Sequence, residues 1–347
     1  MKRVALIGCG GIGNYHLGHL LQFDDVKVAG ACDLIAERAE GVAAKTGGQA
    51  FTDFRRMYDT VKPDMVFVCV PPTQHGEIEL ESVKRGIPMF IEKPIALDLE
   101  LAQEIDEAIT KAGLITAVGF QCRYSNIVEP TLQFTRDNQI VFVECARIGG
   151  VPAVEWWRVK SQSGGQLVEQ TIHQLDMIRY AAGEPKSVYS MTTRGFVKGW
   201  ENYDTDDLTV TAITFESGAL GSVSSGCYAA SGAAFDSKIT FSTPDSRLDH
   251  YIIDRVNIYG AKPPEAKSGL VVQGDGTMAS SSDGQVTIKD DGRAGITCDR
   301  TFVEAVISGD GSKIRSPYHD ALKSLAFGLA ANESMDTKKV VDVVQFA

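Results

Sequence analysis

The chain has 347 residues, 44% of them hydrophobic and 23% charged, with a formal net charge of −11, which is typical of a globular protein of about two domains. The acidic balance argues against a nucleic-acid-binding surface and against an anchor for anionic membranes. The sequence shows neither an apolar run long enough for a transmembrane helix nor a signal-peptide pattern, so we expect a cytoplasmic protein.

The first 120 residues alternate short apolar runs with helical patterns. The runs at 3–8, 26–31, 65–70, 87–91 and 114–120 predict strands, and segments 13–23, 35–45, 76–85 and 99–111 predict helices. Repeated strand–helix–strand units predict a doubly wound parallel sheet. We therefore expect an α/β dinucleotide-binding (Rossmann) domain over residues 1–120.

The pattern changes after residue 121. Segments 140–148, 208–215, 219–225, 237–241 and 251–258 predict strands with few helices between them, which favours an antiparallel sheet. Residues 260–298 are expected to form surface hairpins and loops, and 318–332 a last helix. Residues 121–347 are therefore predicted to form an α+β domain.

The chain has seven scattered cysteines, and no two of them form a C-x-x-C pair. This spacing predicts buried, reduced thiols, as in a cytosolic protein. It favours neither a disulfide framework nor a zinc site, and no metal site is predicted.

A glycine-rich segment, Gly8 to Gly13, fits the pattern G-x-G-x-x-G. It follows a predicted strand and opens a predicted helix, which is the context of a dinucleotide-binding loop. The helix N-terminus would then offer free N–H groups to the phosphates; a glycine-rich turn without a ligand is the alternative. The candidate cofactor-binding residues here are Gly8, Gly10, Gly11, Ile12 and Gly13.

The second predicted strand ends at Asp33, about 20 residues after Gly13. An acid at this point hydrogen-bonds the adenosine ribose and repels a 2′-phosphate, which favours NAD over NADP. Leu34 follows, and Arg38 lies one turn further on. Asp33 is alternatively a cap of the next helix, and both roles are compatible.

The third predicted strand runs into Val70, Pro71 and Pro72, followed by His75. In such sheets ligands bind at the carboxyl ends of the strands, so these residues are candidate cofactor contacts. For His75 a simpler role, the start of the next helix, stays open.

Glu92-Lys93-Pro94 follows the next strand, so its charges are expected at the same edge of the sheet. A partly desolvated lysine near a carboxylate can take part in acid/base chemistry, and a cis X-Pro bond would orient it. Glu92 and Lys93 are candidate cofactor contacts and Lys93 is a candidate catalytic residue; a charged turn is the alternative.

Residues 166–183 carry one apolar helical stripe, with Glu169 and His173 beside it at positions i and i+4. A carboxylate near an imidazole raises its pKa and fixes its tautomer, which suits a general base. A structural histidine is the alternative. Gly164 and Gly165 just before the helix would let a ligand or another backbone approach closely.

Together these segments resemble the glucose–fructose oxidoreductase / inositol dehydrogenase (Gfo/Idh/MocA) family over nearly the whole chain. The resemblance rests on Gly8–Gly13 with His16, Pro71-Pro72 with His75, Glu92-Lys93-Pro94, residues 118–124, Gly164-Gly165 with His173 and Asp176, and residues 302–309.

The resemblance implies a large, open, mostly antiparallel C-terminal sheet that makes subunit contacts, hence a homodimer or homotetramer. It also implies hydride transfer between nicotinamide and a carbon of a sugar or cyclic polyol. Lys93 matches the family's catalytic lysine and His173 its usual base. The chain departs from the family at two positions: Glu169 replaces the usual Asp, and Gln166 replaces a frequent third glycine.

The resemblance also places Arg123 and Tyr124 at a position that often faces substrate. Trp157 and Arg158, next to Trp156, combine aromatic faces with donors that suit a sugar ring. All four are candidate substrate contacts. The alternatives are an interdomain ion pair for Arg123 and packing at a domain or subunit interface for the Trp156–Arg158 segment.

We expect an NAD-dependent dehydrogenase of a sugar or cyclic polyol, inositol-like or pyranose, with Lys93, His173 and Glu169 as catalytic residues. NADP is the less favoured cofactor. Two alternatives remain open: a glycosidase or epimerising enzyme that keeps NAD bound through an internal redox cycle, and a non-catalytic NAD-binding sensor. The sensor is disfavoured because it needs no acid/base pair.

Overall fold

The computed structural model describes residues 1–230, 232–235, 237–260, 271–272, 278–282 and 285–346. The chain forms two compact units. Unit 1 consists of Met1–Gln121 and Gly295–Leu322, and unit 2 of Cys122–Ala294 and Lys323–Ala347. Within the described ranges, no helix combines the length and the apolar character needed to cross a bilayer.

Unit 1 contains a parallel sheet with helices between its strands. The strands are β1 (Lys2–Ile7), β2 (Val26–Cys32), β3 (Gln49–Phe51), β4 (Met65–Val68), β5 (Met89–Ile91) and β6 (Thr116–Val118). The helices are α1 (Gly11–Leu20), α2 (Ala36–Thr46), α3 (Phe54–Val61), α4 (Glu77–Lys84) and α5 (Leu99–Ala112). The strand order is β3-β2-β1-β4-β5-β6, and the predicted doubly wound sheet is confirmed.

Within residues 1–120, strand β3 and helix α3 have no counterpart in the sequence analysis. The edge strand β3 has three residues, too few for a period-two pattern. Helix α3 has a local signal that explains it. Asp53 caps it by accepting hydrogen bonds from the Arg55 and Arg56 N–H groups, and Met57 and Val61 are buried one turn apart.

Unit 2 is built on a long sheet. Its strands are β7 (Phe142–Ile148), β8 (Pro185–Thr193), β9 (Leu208–Phe215), β10 (Leu220–Gly226), β11 (Lys238–Ser242), β12 (Arg247–Tyr251), β13 (Arg255–Tyr259), β14 (Val271–Val272), β15 (Met278–Ser282), β16 (Gln285–Lys289) and β17 (Val341–Asp342). The order is β14-β15-β16-β13-β12-β11-β7-β10-β9-β8-β17. The β7–β10 ladder is parallel and the other ladders of this sheet that the structure describes are antiparallel, so the predicted mostly antiparallel sheet is confirmed.

The sequence analysis overlooked β8 and β12, and it merged a turn with β13 in the predicted strand 251–258. Residues 260–298, predicted as surface hairpins and loops, contain the antiparallel pair β15–β16, and β16 also pairs with β13 over five residues. The predicted hairpin of 208–215 and 219–225 is present as β9 and β10. Parts of the 260–298 prediction, at 261–270, 273–277 and 283–284, lie outside the described residues.

One face of this sheet packs against the helices α6 (Val128–Asp137), α8 (Gln166–Glu169) and α9 (Ile172–Ala182), and α7 (Lys160–Ser163) precedes α8. The side chains beneath the helices form the core of unit 2, and Val143, Val223, Ile239, Phe241 and Leu248 are fully buried. All seven cysteines of the protein are buried and free.

The C-terminal part of the chain completes unit 1. Helices α10 (Ala294–Ser308) and α11 (Tyr318–Thr337) follow the sheet of unit 2, and the segment Gly295–Leu322 returns to unit 1. There the Phe302 ring packs edge-on against Phe67 and Phe90, with ring centroids 5.5 and 5.9 Å apart. The sequence analysis assigned this segment to the second domain, because chain order alone gives no signal for such a return.

Candidate active site

The glycine loop is folded tightly onto the end of β4. Gly8 has a φ of +86°, and a Cβ at this position would lie 2.2 Å from the Cys69 carbonyl oxygen. A Cβ at Gly13 would lie 1.9 Å from the Gly8 carbonyl oxygen. Neither position tolerates a side chain, so both glycines are required by the turn and by the packing of α1.

The outer side of the loop is open. A Cβ at Gly10 or Gly11 would have no heavy atom within 4 Å, and Ile12 is 40% exposed. Helix α1 has no side-chain cap and no acidic residue in its first turn. Its N–H groups are therefore available to a dinucleotide diphosphate, so these residues fit the cofactor that the sequence predicts.

Asp33 links the loop to the end of β2. Its Oδ2 accepts a hydrogen bond from the Cys9 N–H (2.8 Å) and its Oδ1 one from the Ile35 N–H (2.9 Å). The N-cap of α2 is Ile35, so Asp33 turns the chain before the helix and does not cap it. The half-buried carboxylate lies beside the loop, where an acid that binds the ribose is expected.

His75 begins α4 and is buried. Its Nδ1 lies 2.6 Å from Glu79 Oε1, and Glu79 Oε2 accepts a hydrogen bond from the Gly76 N–H. This geometry supports the helix-start role that the sequence left open. Its Nε2 has no hydrogen-bond partner among the described residues, so a cofactor contact by that atom also remains open. Pro72, likewise buried, opens a short 3-10 turn, and Val70 and Pro71 before it are partly exposed.

The Glu92 carboxylate belongs to a buried cluster in unit 1. Glu92 Oε1 lies 2.9 Å from His16 Nε2, and His16 Nδ1 lies 2.9 Å from both oxygens of Asp299. Glu92 Oε2 accepts a hydrogen bond from the Lys93 N–H. Both oxygens of Glu92 are thus engaged inside the protein, which differs from the cofactor contact that the sequence suggests for it.

His16 faces a carboxylate at each ring nitrogen, so it donates from both and is an imidazolium. Burial lowers the pKa of His16, but the hydrogen bonds and charges of Asp299 and Glu92 outweigh burial and raise it to about 10. His19 Nδ1 lies 2.6 Å from Asp299. Two histidines and an Asp are also metal-ligand types, but their present spacing is that of hydrogen bonds.

Lys93 lies directly after β5 and is half-buried, and the Lys93–Pro94 peptide bond is cis. Its position after a strand of the parallel sheet is the one predicted. The hydrogen bond between Glu92 and His16 holds the residue next to Lys93 in place.

Glu169 and His173 lie on two helices and not on the single helix predicted. Helix α8 ends at Glu169 and α9 begins at Ile172. Between them the Thr171 N–H donates to the Gln166 carbonyl, a wider turn than the α-helical one. Glu169 is buried (2% exposed) and accepts a hydrogen bond of 2.7 Å from the Gln170 side-chain amide, while His173 is half-buried.

Arg123 is committed to a buried ion pair inside unit 2. Its Nε and Nη2 donate to the two oxygens of Asp176 at 2.7 and 2.6 Å, and its guanidinium lies 4.2 Å from the Tyr180 ring. Arg123 is 1% exposed and Tyr124 is 7% exposed. The structure therefore supports an ion pair for Arg123, with a partner in its own unit, over a predicted contact with substrate.

The tryptophan segment borders an open groove of about 850 Å³ in unit 2. Trp156 and Trp200 line the groove, and the Arg158 guanidinium lies 5.0 Å from the Trp200 ring. Trp157 packs edge-on against Trp156 at 5.5 Å. Trp157 and Arg158 are thus half-buried and pack against the two tryptophans that line the groove.

Two family models match the chain. The model described as "Oxidoreductase family, NAD-binding Rossmann fold" matches residues 2–120, and "GFO/IDH/MocA C-terminal domain" matches residues 139–261. The chain belongs to the Gfo/Idh/MocA oxidoreductase family. Its resemblance to that family, its fold class and NAD as its cofactor are confirmed, and so is its class as an NAD-dependent oxidoreductase.

Three curated relatives are dehydrogenases. The scyllo-inositol 2-dehydrogenase (NAD(+)) of Bacillus subtilis is 28% identical over 64% of this chain and 66% of its own length. The D-glucoside 3-dehydrogenase of Escherichia coli is 28% identical over 63% and 68%. The myo-inositol 2-dehydrogenase of Thermotoga maritima is 29% identical over 63% and 66%. The matched part thus spans about two thirds of these relatives.

Two solved Gfo/Idh/MocA-like structures show the same fold over the whole chain. Levoglucosan dehydrogenase in complex with NADH and levoglucosan has a TM-score of 0.82 at 20% identity, covering 99% of this chain and 100% of that one. The WlbA dehydrogenase of Bordetella pertussis, in complex with NADH and UDP-GlcNAcA, has a TM-score of 0.79 at 19% identity, covering 99% of both chains. At these identities the likeness shows the fold.

Proposed function

We propose that the protein is an NAD-dependent dehydrogenase that oxidises a hydroxyl carbon of a sugar or cyclic polyol, inositol-like or pyranose. The observation that carries the proposal is that this member of the family keeps Lys93 after β5 and His173 at the start of α9, together with an open nucleotide-binding loop. The polyol and sugar dehydrogenases among its relatives support the substrate class.

In this proposal His173 is the general base. Oxidation of an alcohol removes a proton from oxygen and a hydride from carbon, so a neutral imidazole takes the proton as the carbonyl forms. The Lys93 ammonium donates a hydrogen bond to the same oxygen and stabilises the charge that develops there. Glu169 orients His173. When bound, NAD supplies the hydride acceptor.

The cofactor contacts proposed for unit 1 are the open loop residues, Asp33, the Val70–Pro72 segment, His75 and Lys93. Asp33 favours NAD over NADP because its carboxylate would face a 2′-phosphate on the ribose. Its hydrogen bond to the Cys9 N–H supports this role, since it places the acid against the loop that receives the diphosphate.

The test is the appearance of NADH, followed by its near-ultraviolet absorbance, with a panel of inositols and pyranoses and with NAD or NADP. We expect turnover with NAD, and Lys93→Met or His173→Asn should lower kcat at least about 100-fold while NAD still binds. Lys111→Met, at an exposed position of α5, is the matched control.

Full turnover by Lys93→Met would contradict the assignment of Lys93, and a preference for NADP would contradict that of Asp33. Product without net NADH would favour a bound-cofactor cycle. Bound NAD with no reaction across the panel would favour a sensor.

We also propose a cytoplasmic homodimer or homotetramer that acts on a small-molecule substrate and binds neither nucleic acid nor membranes. The free, buried cysteines support a reducing compartment. The helix-free face of the unit 2 sheet supports subunit contacts, because apolar side chains are exposed along it (Phe142, Tyr189, Met191, Val210 and Leu220).

A further inference from the structure

We propose that Arg147 and Gln170 are positioning residues for the Glu169/His173 pair, an inference that rests on the proposed function. Two hydrogen bonds form a bridge to Glu169. Arg147 Nη2 donates to Gln170 Oε1, and Gln170 Nε2 donates to Glu169 Oε2 at 2.7 Å.

The chemistry of the two ends fixes the orientation of the bridging amide. A guanidinium can only donate hydrogen bonds, and an ionised carboxylate can only accept them. The Gln170 amide therefore presents its oxygen to Arg147 and its nitrogen to Glu169. One side chain thus connects a cation on the sheet to the carboxylate of the proposed catalytic pair.

The bridge lies where the two helices are interrupted. Thr171, next to Gln170, hydrogen-bonds Ser225 of β10 through its Oγ1 at 2.6 Å. Ser225 is the register partner of Arg147 in the parallel β7–β10 ladder. The two residues between Glu169 and Ile172 are thus held by adjacent residues of two paired strands, and Glu169 and His173 flank this fixed point.

Arg147 supplies a charge that is not used in a direct ion pair. Among the residues that the structure describes, its guanidinium has one hydrogen bond, to Gln170, and no ion pair. Burial lowers the pKa of Arg147, and the negative charge of Glu169 acts in the opposite direction. Glu169 is 2% exposed, and burying an ionised carboxylate costs free energy that a nearby cation offsets.

Two other cations of unit 2 are engaged in ion pairs of their own. Lys160 of α7 pairs with Asp206 and Asp336 at 3.5 and 3.6 Å. Arg179 of α9 pairs with Glu184. Burial raises the pKa of the Cys227 thiol, which is therefore neutral at ordinary pH. The electrostatic interaction between Arg147 and Glu169 is therefore one contribution to the environment of that carboxylate.

This arrangement gives a reason for the departure of Glu169 from the family's usual Asp. A glutamate has one more rotatable bond, so an unsupported carboxylate would sample more positions around the imidazole. The Gln170 amide fixes Oε2, and the charge of Arg147 stabilises the carboxylate as an anion. The pair can then work with the longer side chain.

The deciding measurement is the pKa of His173, followed by NMR of the protein labelled at its 6 histidines, with His173→Asn to assign the signal. Removing the Arg147 charge in Arg147→Met should let His173 hold its proton to higher pH, by about 0.5 to 1 pH unit. Arg147→Lys, which keeps the charge, should leave that pKa close to wild type.

Arg136→Met is the matched control, because Arg136 forms an exposed ion pair with Glu129 on α6. In Arg136→Met the pKa of His173 should equal that in the wild-type protein. If Arg147→Met does not fold, Gln170→Glu adds a negative charge with Arg147 in place and should also raise the pKa. An unchanged pKa in the folded Arg147→Met or Gln170→Glu variant, or an equal shift in Arg136→Met, would overturn the inference.

The acid limb of kcat/KM against pH should move with the NMR pKa in Arg147→Met, whereas the KM for NAD should not change. The NMR titration needs no turnover. A shifted pKa in a protein that oxidises no polyol would therefore contradict the proposed function alone, and turnover with an unchanged pKa would contradict this inference alone.

Discussion

At the scale of single residues, the buried His16 connects three elements of unit 1. It joins α1, the end of β5 and α10 through two carboxylates that would otherwise repel each other. Its pKa, raised to about 10, makes it a cation at every pH where the protein is expected to work.

His16 should therefore make stability depend on pH at the alkaline side. Its folded pKa lies above the ordinary value of about 6.5, so its contribution to the free energy of unfolding is complete below about pH 6.5 and is lost as pH rises through about 10. Urea unfolding at a series of pH values measures this.

The variant His16→Gln should lower stability most at neutral pH and least near pH 10. His319→Gln, at a histidine 42% exposed and paired with Asp106, is the control and should show a far smaller effect. Equal losses in His16→Gln at both pH values would show that His16 is not charged in the folded protein.

The same residues show how far a sequence can predict a site. The glycine loop and Asp33 follow from local rules, because a turn, a strand end and a helix start are all within one strand–helix–strand unit. For Glu92 the sequence suggests a cofactor contact, because its partner His16 lies 76 residues away and the second partner of His16, Asp299, lies 283 residues from His16. No spacing rule connects such distant positions.

At the scale of elements, a buried ion pair ties three pieces of unit 2 together. Arg123 belongs to a 3-10 turn, Asp176 to α9, and the Ser324 hydroxyl of α11 donates to Asp176 Oδ1 at 2.6 Å. The helix that carries His173 is thus fixed at its second turn. Arg123 thus stabilises the position of α9 through its ion pair with Asp176.

A double-mutant cycle of Arg123→Met and Asp176→Asn tests this role. Each single change leaves an uncompensated buried partner and should cost about 3 kcal/mol or more of unfolding free energy. The double variant should lose clearly less unfolding free energy than the sum of the two single variants, because both single changes remove the same ion pair. The control Arg136→Met removes an exposed ion pair and should cost under about 1 kcal/mol of unfolding free energy. Strictly additive costs of the Arg123 and Asp176 changes would contradict the coupling.

The interruption between α8 and α9 is a feature that the apolar pattern does not predict. Val168, Ile172, Leu175 and Ile178 are all buried, so the apolar stripe itself was predicted correctly. What breaks the helix is the hydrogen bonding of Gln170 and Thr171 to the sheet. Apolar periodicity records which side is buried and carries no information on such polar anchors.

At the scale of the whole molecule, the unit 2 sheet has two different faces. Tyr189 pairs with Ala212 and Met191 with Val210, so these side chains share the face away from the helices. Met191 is 59% exposed and Leu220 58%. Exposed apolar side chains on one face of a sheet are typical of a surface covered by another subunit.

The double variant Met191→Lys with Leu220→Lys should therefore convert the proposed oligomer to monomers, because two lysines would be buried at the interface without partners. Light scattering coupled to gel filtration gives the mass. Leu21→Lys, at a residue 56% exposed in unit 1, should leave the mass unchanged. A wild-type protein that already runs as a monomer would contradict the proposal.

The return of residues 295–322 to unit 1 has a consequence for synthesis. The Asp299 carboxylate and the Phe302 ring are made after strands β7 to β16, yet they complete the hydrogen bonds of His16 and the packing of Phe67. A nascent chain emerging from the ribosome therefore holds a nucleotide-binding sheet with an open flank while strands β7 to β16 of the second sheet are translated. The buried cluster around His16 is complete only once residue 299 has been made.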